Sequence, residues 1–213
     1  MKIFIAAGHG GNDPGSISNA TTEKDEAIKV VDGAIKLLKP IIKYPNELIL
    51  VPHERALHDT VRYINERTTN AAADICLEVH FNNNFGTPGT GTETYYGFQQ
   101  LANKVHTGVV GVLKLKDRGV KEGNYLYFNN STEAGSALVE IGFLNNPQDL
   151  LRARDAGALA LAKGVADFLG LQLPTTPGPT PPTNEWKAKY EAQLAKFRKL
   201  KEAILQLFRD NPE

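Results

Sequence analysis

Two histidines of this chain stand where short apolar runs give way to polar sequence. His9 follows the run at residues 3–7 and is flanked by glycines, and His80 follows the run at residues 75–79. The glycines permit a sharp turn that directs the His9 imidazole back over the end of the preceding strand. Catalytic zinc sites commonly take three ligands from histidines and carboxylates and keep a fourth position for water. The two histidines therefore predict two of the ligands of such a site.

The third ligand should be a carboxylate, and the sequence offers two candidates for it. Glu23 stands at the start of a predicted helix, soon after the His9 loop. Glu78 precedes His80 by two residues, which places both side chains on the same side of a strand. Spacing alone leaves both candidates open.

Glu140 interrupts an otherwise apolar run at residues 137–143. A carboxylate buried there without a partner costs several kcal/mol, so it should be paired, bound to a metal or catalytic. Such surroundings favour the neutral acid and raise the pKa of the carboxyl group. The position therefore predicts a general base and acid that works near neutral pH.

These side chains need a sheet to bring them together. The predicted strands cover residues 3–7, 48–51, 74–81, 92–96, 125–128 and 137–141, and the predicted helices residues 23–38, 57–73, 99–115 and 147–169. Alternation of strands and helices predicts an α/β fold, with a mostly parallel twisted sheet and helices on both faces. Because the carboxyl ends of parallel strands collect at one edge, we expect His9, His80 and Glu140 to meet there.

Local signals locate some boundaries more closely. Thr21 or Thr22 is expected to cap the first long helix, and Asn146, followed by Pro147, to cap the last. Arg118 stands beside a glycine and is expected in a loop.

Composition and charge exclude several classes of protein. The 213 residues carry 24 basic and 24 acidic side chains, so the strong basic footprint of a nucleic-acid-binding protein is missing. One cysteine excludes an internal disulfide and a thiolate-rich zinc cluster. No apolar run approaches the roughly 20 residues that span a bilayer, and the run at residues 3–7 is too short for a signal peptide. We therefore expect a soluble protein without a transmembrane segment.

The C-terminal part of the chain differs from the rest. Residues 173–184 are rich in proline and threonine, which predicts an extended, semi-rigid linker between a catalytic domain at residues 1–172 and a tail at residues 185–213. The tail has apolar residues at heptad spacing and a basic polar side. A lone amphipathic helix of this length needs a partner, which we expect to be a second copy, the catalytic domain or the cell envelope.

Five segments in order resemble one known family, the zinc-dependent N-acetylmuramoyl-L-alanine amidases, and in particular the catalytic domains of bacteriophage endolysins. They read GHGGNDPG from Gly8, TEKD from Thr22, LEVHFN from Leu77, RGV from Arg118 and LVEIGFLNN from Leu138. The resemblance extends from residue 1 to about residue 171.

The resemblance implies a role for each matching residue. His9, Glu23 and His80 match the zinc ligands, and Glu140 matches the catalytic glutamate. The implied cofactor is Zn²⁺, and the implied reaction is hydrolysis of the amide between N-acetylmuramic acid and L-alanine in peptidoglycan. We expect Asn82 and Glu78 to contact the substrate.

The biological setting implied by the resemblance is lysis of a bacterial host by a phage endolysin, held in the cytoplasm of the infected cell until it is released to the wall. A bacterial autolysin or spore-associated amidase of the same chemistry is the nearest alternative. A wall-binding module without catalysis and another zinc peptidase that acts on stem peptides are the more distant ones.

Overall fold

A six-stranded mixed sheet forms the centre of Met1–Pro174 in the computed structural model of the protein. The structure describes residues 1–84, 86–174 and Lys199. From residue 175 onward, the predicted linker and the predicted C-terminal helix therefore lie outside the described residues, apart from Lys199. The strands are β1 (Lys2–Ala7), β2 (Ile17–Ser18), β3 (Thr21–Thr22), β4 (Glu47–Leu50), β5 (Ile75–Asn82), β6 (Thr92–Tyr96), β7 (Asp117–Glu122) and β8 (Gly135–Phe143).

The strand order in the sheet is β4-β1-β5-β8-β6-β7. Strands β4, β1, β5 and β8 are parallel, whereas β6 is antiparallel to β8 and pairs in parallel with β7. The prediction of a mostly parallel sheet is confirmed. Because β6 runs against β8, it begins at the edge where β5 and β8 end.

Helices cover both faces of the sheet, as predicted. They are α1 (Glu23–Leu38), α2 (Leu57–Asn65), α3 (Gln99–Leu113), α4 (Tyr127–Ser131) and α5 (Pro147–Phe168). Helices α1, α3 and α5 pack over one face in a single large apolar core. Helices α2 and α4 cover part of the other face through a smaller core around Phe4, Cys76 and Phe128. Among the described residues, no helix is both long enough and apolar enough to cross a membrane.

The predicted helix caps form with the expected hydrogen bonds. Thr22 accepts a hydrogen bond from the backbone N–H of Asp25 at 3.1 Å and so begins α1. Asn146 accepts hydrogen bonds from the N–H groups of Gln148 and Asp149 and begins α5, with Pro147 in its first position. Capping by short polar side chains thus places both helices where the sequence puts them.

Two predicted elements at the far edge of the sheet are wrong. Residues 125–128 do not form a strand, since α4 begins at Tyr127 and buries Phe128. The edge position beside β6 is taken by β7, so Arg118 lies in a strand rather than in a loop. Strand β6 is already paired on both sides, with β8 and with β7, so it offers no free edge to residues 125–128. The short helix α4 instead buries Phe128 in the smaller core.

Helix α2 is shorter than the predicted helix at residues 57–73. It ends at Asn65, and the N–H and the hydroxyl group of Thr68 both donate hydrogen bonds to the carbonyl oxygen of Ile64. A threonine side chain that binds the preceding turn competes with continued helix, and this explains the early end.

Candidate metal centre and catalytic site

Side chains of the site lie on the same sheet face as the smaller core, toward the ends of β5 and β8. In β5 the odd-numbered residues from Ile75 to Phe81 enter the large core, so Glu78 and His80 point to the opposite face. The register pairs His80 with Glu140 in β8, and Glu140 with Glu93 in β6. His80, Glu140 and Glu93 therefore form one row across three neighbouring strands.

His9 reaches this row from the loop after β1. The N–H of Gly8 donates a hydrogen bond to the carbonyl oxygen of Val79 at 2.7 Å, so the pairing of β1 with β5 continues to the first residue of the loop. His9 then adopts a positive φ of 64°, an uncommon conformation for a residue with a side chain. The sequence-based expectation that the loop would turn the imidazole back is thus met by the backbone of His9 itself.

Two glycines leave room for the imidazole rings. A Cβ atom at Gly8 would lie 2.4 Å from Nε2 of His80, and one at Gly15 would lie 2.5 Å from Cδ2 of His9. Gly15 also has a φ of 62°, which favours glycine. Side chains at these positions would displace the rings.

The structure brings His9, Glu23 and His80 together. Nε2 of His9 lies 3.2 Å from Oε2 of Glu23, and Nδ1 of His80 lies 2.9 Å from Oε1 of Glu23. One ligand atom from each of the three residues falls within 4.8 Å of the others. Glu23 occupies this position because Thr22 begins α1 immediately before it. Among the described residues, this trio is the one group of histidine, cysteine and acidic side chains arranged to hold a metal ion.

The second nitrogen of each imidazole faces another carboxylate. Nδ1 of His9 lies 2.8 Å from Oδ2 of Asp13, and Nε2 of His80 lies 3.1 Å from Oε2 of Glu78. Glu78 is buried beside His80 and stands outside the trio. Sequence reasoning missed Asp13, although its place in the loop after His9 was a usable signal.

The trio is electrostatically coupled. Hydrogen bonding to Glu23 is the main cause of the raised pKa of His9. Burial alone would lower the pKa of His80, but hydrogen bonds to Glu23 and Glu78 raise it well above the ordinary value. Burial alone would raise the pKa of Glu23, and hydrogen bonds from both histidines outweigh this and lower it far below the ordinary value. Glu23 is therefore ionised at neutral pH.

The donor set fits a zinc ion. Two imidazole nitrogens and one carboxylate oxygen are the ligands of many catalytic zinc sites, which keep a fourth position for water. A carboxylate at the second nitrogen of each ligating histidine is the usual outer support, because it fixes the tautomer and the orientation of the ring. Asp13 and Glu78 supply that support to His9 and His80.

Glu140 lies beside this trio with an unused oxygen. Its Oε2 is buried and has no hydrogen-bond partner among the described residues. Burial raises the pKa of Glu140 to about 7, an effect that the cation of a protonated His80 opposes and the charges of Glu23 and Glu93 support. An unpartnered carboxylate with this pKa can accept and return a proton near neutral pH.

A second buried carboxylate, Glu93, lies next to Glu140 in the row. Its Oε1 accepts hydrogen bonds from Nδ2 of Asn82 at 2.7 Å and from the hydroxyl group of Tyr95 at 3.2 Å. Asn82 thus lies beside Glu93, and its contact with a substrate stays a prediction. Sequence reasoning missed Glu93, because a single acidic residue in a strand of mixed polarity carries no distinctive signal.

A family model described as N-acetylmuramoyl-L-alanine amidase matches residues 3–170. The chain belongs to this family. The matched segment contains every residue of the site, from His9 to Glu140, so the resemblance seen in the sequence motifs is confirmed at the level of the family.

Several relatives are enzymes of this family from bacteria. The N-acetylmuramoyl-L-alanine amidase LytC of Bacillus subtilis is 30% identical over 164 residues, which are 72% of this chain and 32% of LytC. A sporulation-specific N-acetylmuramoyl-L-alanine amidase of the same species is 29% identical over 182 residues, 79% of this chain and 67% of that protein. The chain thus spans about a third of LytC and two thirds of the sporulation enzyme.

Solved structures share the fold. The crystal structure of an N-acetylmuramoyl-L-alanine amidase from Clostridium difficile 630 matches with a TM-score of 0.69 and 26% sequence identity, and the match covers 79% of this chain and 96% of that one.

Proposed function

We propose that the protein is a zinc-dependent peptidoglycan amidase that hydrolyses the bond between N-acetylmuramic acid and L-alanine. The observation that supports this reaction most strongly is the unpartnered, buried Oε2 of Glu140 beside His9, Glu23 and His80. Amide hydrolysis needs a base for water and an acid for the leaving nitrogen, and one carboxyl group with a pKa of about 7 serves both steps in turn.

Each residue of the site has a distinct task in this proposal. His9, Glu23 and His80 would hold Zn²⁺, which supplies a water of lowered pKa and polarises the scissile carbonyl group. Glu140 takes the proton of the water at Oε2 as the hydroxide adds to the carbonyl carbon. It then delivers that proton to the amide nitrogen of L-alanine as the carbon–nitrogen bond breaks.

Asp13 and Glu78 act as positioning residues in this proposal. Each accepts a hydrogen bond from the nitrogen of a histidine that does not face Glu23, and this holds the ring in one tautomer. The buried position of Glu78 favours this task, while the substrate contact first expected of Glu78 stays a prediction.

The test of the reaction is product analysis of digested peptidoglycan. We expect new free amino groups on L-alanine and no new reducing sugars, and we expect chelation to abolish this release and added zinc to restore it. New reducing ends would identify a glycosidase instead. Cleavage further along the stem peptide would identify a zinc peptidase. Full activity of a metal-free preparation would contradict the zinc requirement. Binding of peptidoglycan without any release would support the non-catalytic wall-binding alternative.

For the biological setting we propose a phage endolysin, kept in the host cytoplasm until a separate pore releases it to the wall. This rests on the resemblance of the motifs around His9 and Glu140 to endolysin catalytic domains. A bacterial autolysin or spore amidase is the second candidate, and the likeness to LytC and to the sporulation-specific amidase favours it. Disrupting the gene discriminates the two: an endolysin is needed for release of phage progeny, whereas an autolysin or spore amidase is needed for cell separation or spore development.

For residues 185–213 we propose a contact with a second copy, with the catalytic domain or with the envelope. Comparing the mass in solution and the sedimentation with cell walls, with and without residues 175–213, tests this. An unchanged monomer with unchanged wall binding and unchanged thermal stability would contradict all three.

A further inference from the structure

A pair of basic residues on β7 shares one buried carboxylate at the edge of the site. Oε2 of Glu93 accepts hydrogen bonds from Nε of Arg118 at 2.9 Å and from Nζ of Lys121. Glu93 is only 2% exposed, and its ion pairs keep its pKa below the ordinary value. Two cations therefore meet one anion, and the cluster keeps one net positive charge.

A bulge in β7 puts both basic side chains on the same side. The register pairs Thr92 with Asp117 and Thr94 with Val120, so β7 has one residue more than β6 between these pairs. Gly119, with a φ of 86°, permits this irregularity. Without the extra residue, positions three apart in a strand would point to opposite faces.

The two cations are partly open to solvent. The side chains of Arg118 and Lys121 are 31% and 41% exposed. The guanidinium group of Arg118 lies over the ring of Phe143, 5.1 Å from its centroid. Within the described part of the chain, Arg118 forms its side-chain hydrogen bond through Nε, and its two terminal nitrogens are available for a bidentate contact.

The position of the pair matches one part of the substrate proposed above. Arg118 lies two strands beyond Glu140, about 10 Å away at the usual strand spacing of about 4.8 Å. In peptidoglycan the residue after L-alanine is glutamate joined through its side chain, so its α-carboxyl group branches from the stem. That group lies about 7 Å from the scissile carbonyl carbon in an extended stem, within reach of an arginine side chain extending back toward Glu140.

We propose that Arg118 and Lys121 bind the free α-carboxylate of this second stem residue, so that the enzyme prefers stems in which it is not amidated. The inference rests on the proposed amidase function. Glu93 acts as a positioning residue, because it holds both cations at the edge of the site and leaves their net charge positive.

Two soluble substrates test this proposal. Both are N-acetylmuramoyl-L-alanyl-γ-D-glutamate with the γ-carboxyl group capped as a methylamide, and they differ in having an α-carboxylate or an α-carboxamide. We expect the KM of the wild-type protein for the carboxylate to be about tenfold lower, with similar kcat. Lys121→Met should raise the KM for the carboxylate severalfold and leave the KM for the carboxamide unchanged, and Arg118→Gln should do the same.

A matched control is Lys104→Met, which removes one exposed positive charge from α3, on the opposite face of the sheet. It should leave both KM values unchanged, and thermal unfolding should show that all three variants are folded. Equal KM values of the wild-type protein for the two substrates, or an equal rise for both substrates in both β7 variants, would overturn the subsite and leave the amidase function standing. No turnover of either substrate would overturn both.

Discussion

The first turn of α1 carries two buried glutamates, three residues apart, that belong to different regions of the molecule. Glu26 lies at the contact between α1 and α5, where Arg154 forms a bidentate pair with it at 2.9 and 2.6 Å and Lys29 adds a third bond. Glu23 lies in the candidate metal site and is paired with His9 and His80. Both carboxylates have lowered pKa values, about 2 in the case of Glu26.

The difference between the two lies in their partners. Arginine and lysine stay protonated, so Glu26 is committed to linking two helices and is not available for other chemistry. Imidazoles, unlike arginine and lysine, can exchange a proton for a metal ion, so Glu23 and its two histidine partners can together become metal ligands. Glu140 is a third case. Its Oε2 has no partner within the described residues, and its pKa is raised, whereas the pKa values of Glu23 and Glu26 are lowered.

The largest effect should follow from Glu140→Gln. The variant keeps the shape of the site and loses the proton acceptor, so kcat should fall about 10³-fold while bound zinc stays the same. In the wild-type protein, kcat/KM should fall as the pH drops below the pKa of Glu140, because protonation removes the base. The charge of a bound zinc ion should lower this pKa from its value of about 7 in the metal-free protein. Turnover and zinc content measured on the same samples check this, and near-normal turnover would remove Glu140 from the mechanism.

The same substitution should stabilise the metal-free protein. A carboxyl group with a pKa of about 7 in the folded state and an ordinary pKa of 4.5 in the unfolded state lowers the free energy of unfolding as the pH rises between these values. Glu140→Gln should therefore raise the free energy of unfolding by at most about 3 kcal/mol at pH 8 and by nothing below about pH 4. Urea unfolding at the two pH values measures this, and a pH-independent difference would contradict the buried charge.

Substituting Glu78 and Glu23 in parallel tests whether Glu23 is the metal ligand and Glu78 only orients His80. Glu78→Gln should weaken zinc binding about 10- to 100-fold, as the loss of an outer support does. Glu23→Gln should weaken it further, because a ligand is lost. Competition with a chelating dye measures both affinities without any substrate. Stronger loss in Glu78→Gln than in Glu23→Gln would make Glu78 the third ligand.

The smallest effect concerns the α1–α5 contact. Arg154→Met should lower the free energy of unfolding at pH 7 by about 1–2 kcal/mol, less than for a fully buried pair because Arg154 is partly exposed and Lys29 remains. The stabilisation by Glu26 is present above about pH 4.5 and is lost as the pH falls toward 2, so the difference should shrink in acid.

The control for this prediction is Lys163→Met, at an exposed pair with Asp167 within α5. It should change the free energy of unfolding by less than about 0.5 kcal/mol. A loss of zinc affinity in Arg154→Met would show that the two regions are coupled after all.

Sequence patterns located the parts of the site that depend on local signals. His9 and His80 follow apolar runs, and Glu140 interrupts one, so the rule for strand ends was enough to bring them together. The same local reasoning gave the bounds of α1 and β6 as observed.

What could not be predicted depends on long-range pairing. The bond between Glu26 and Arg154 joins residues 128 positions apart. Arg118 was expected in a loop, and its place in β7 depends on the bulged pairing with β6, which the sequence does not show. Glu93 lies beside Glu140 only because β6 pairs in antiparallel direction with β8, and the sequence of neither strand alone shows this pairing.

The reversal of chain direction between β5 and β6 has an evolutionary consequence. Both ends of the connection at residues 83–91 are anchored, since the side chain of Asn82 binds Glu93 across it. Within it, the carbonyl oxygens of Asn84 and Gly89 accept hydrogen bonds from Asn145 and Asn146, whereas residues 86–88 between them are exposed. Insertions at residues 86–88 would therefore leave the buried row of acidic and imidazole groups in place. That exposed stretch is therefore where the scaffold can change in length without disturbing the histidines and glutamates of the site.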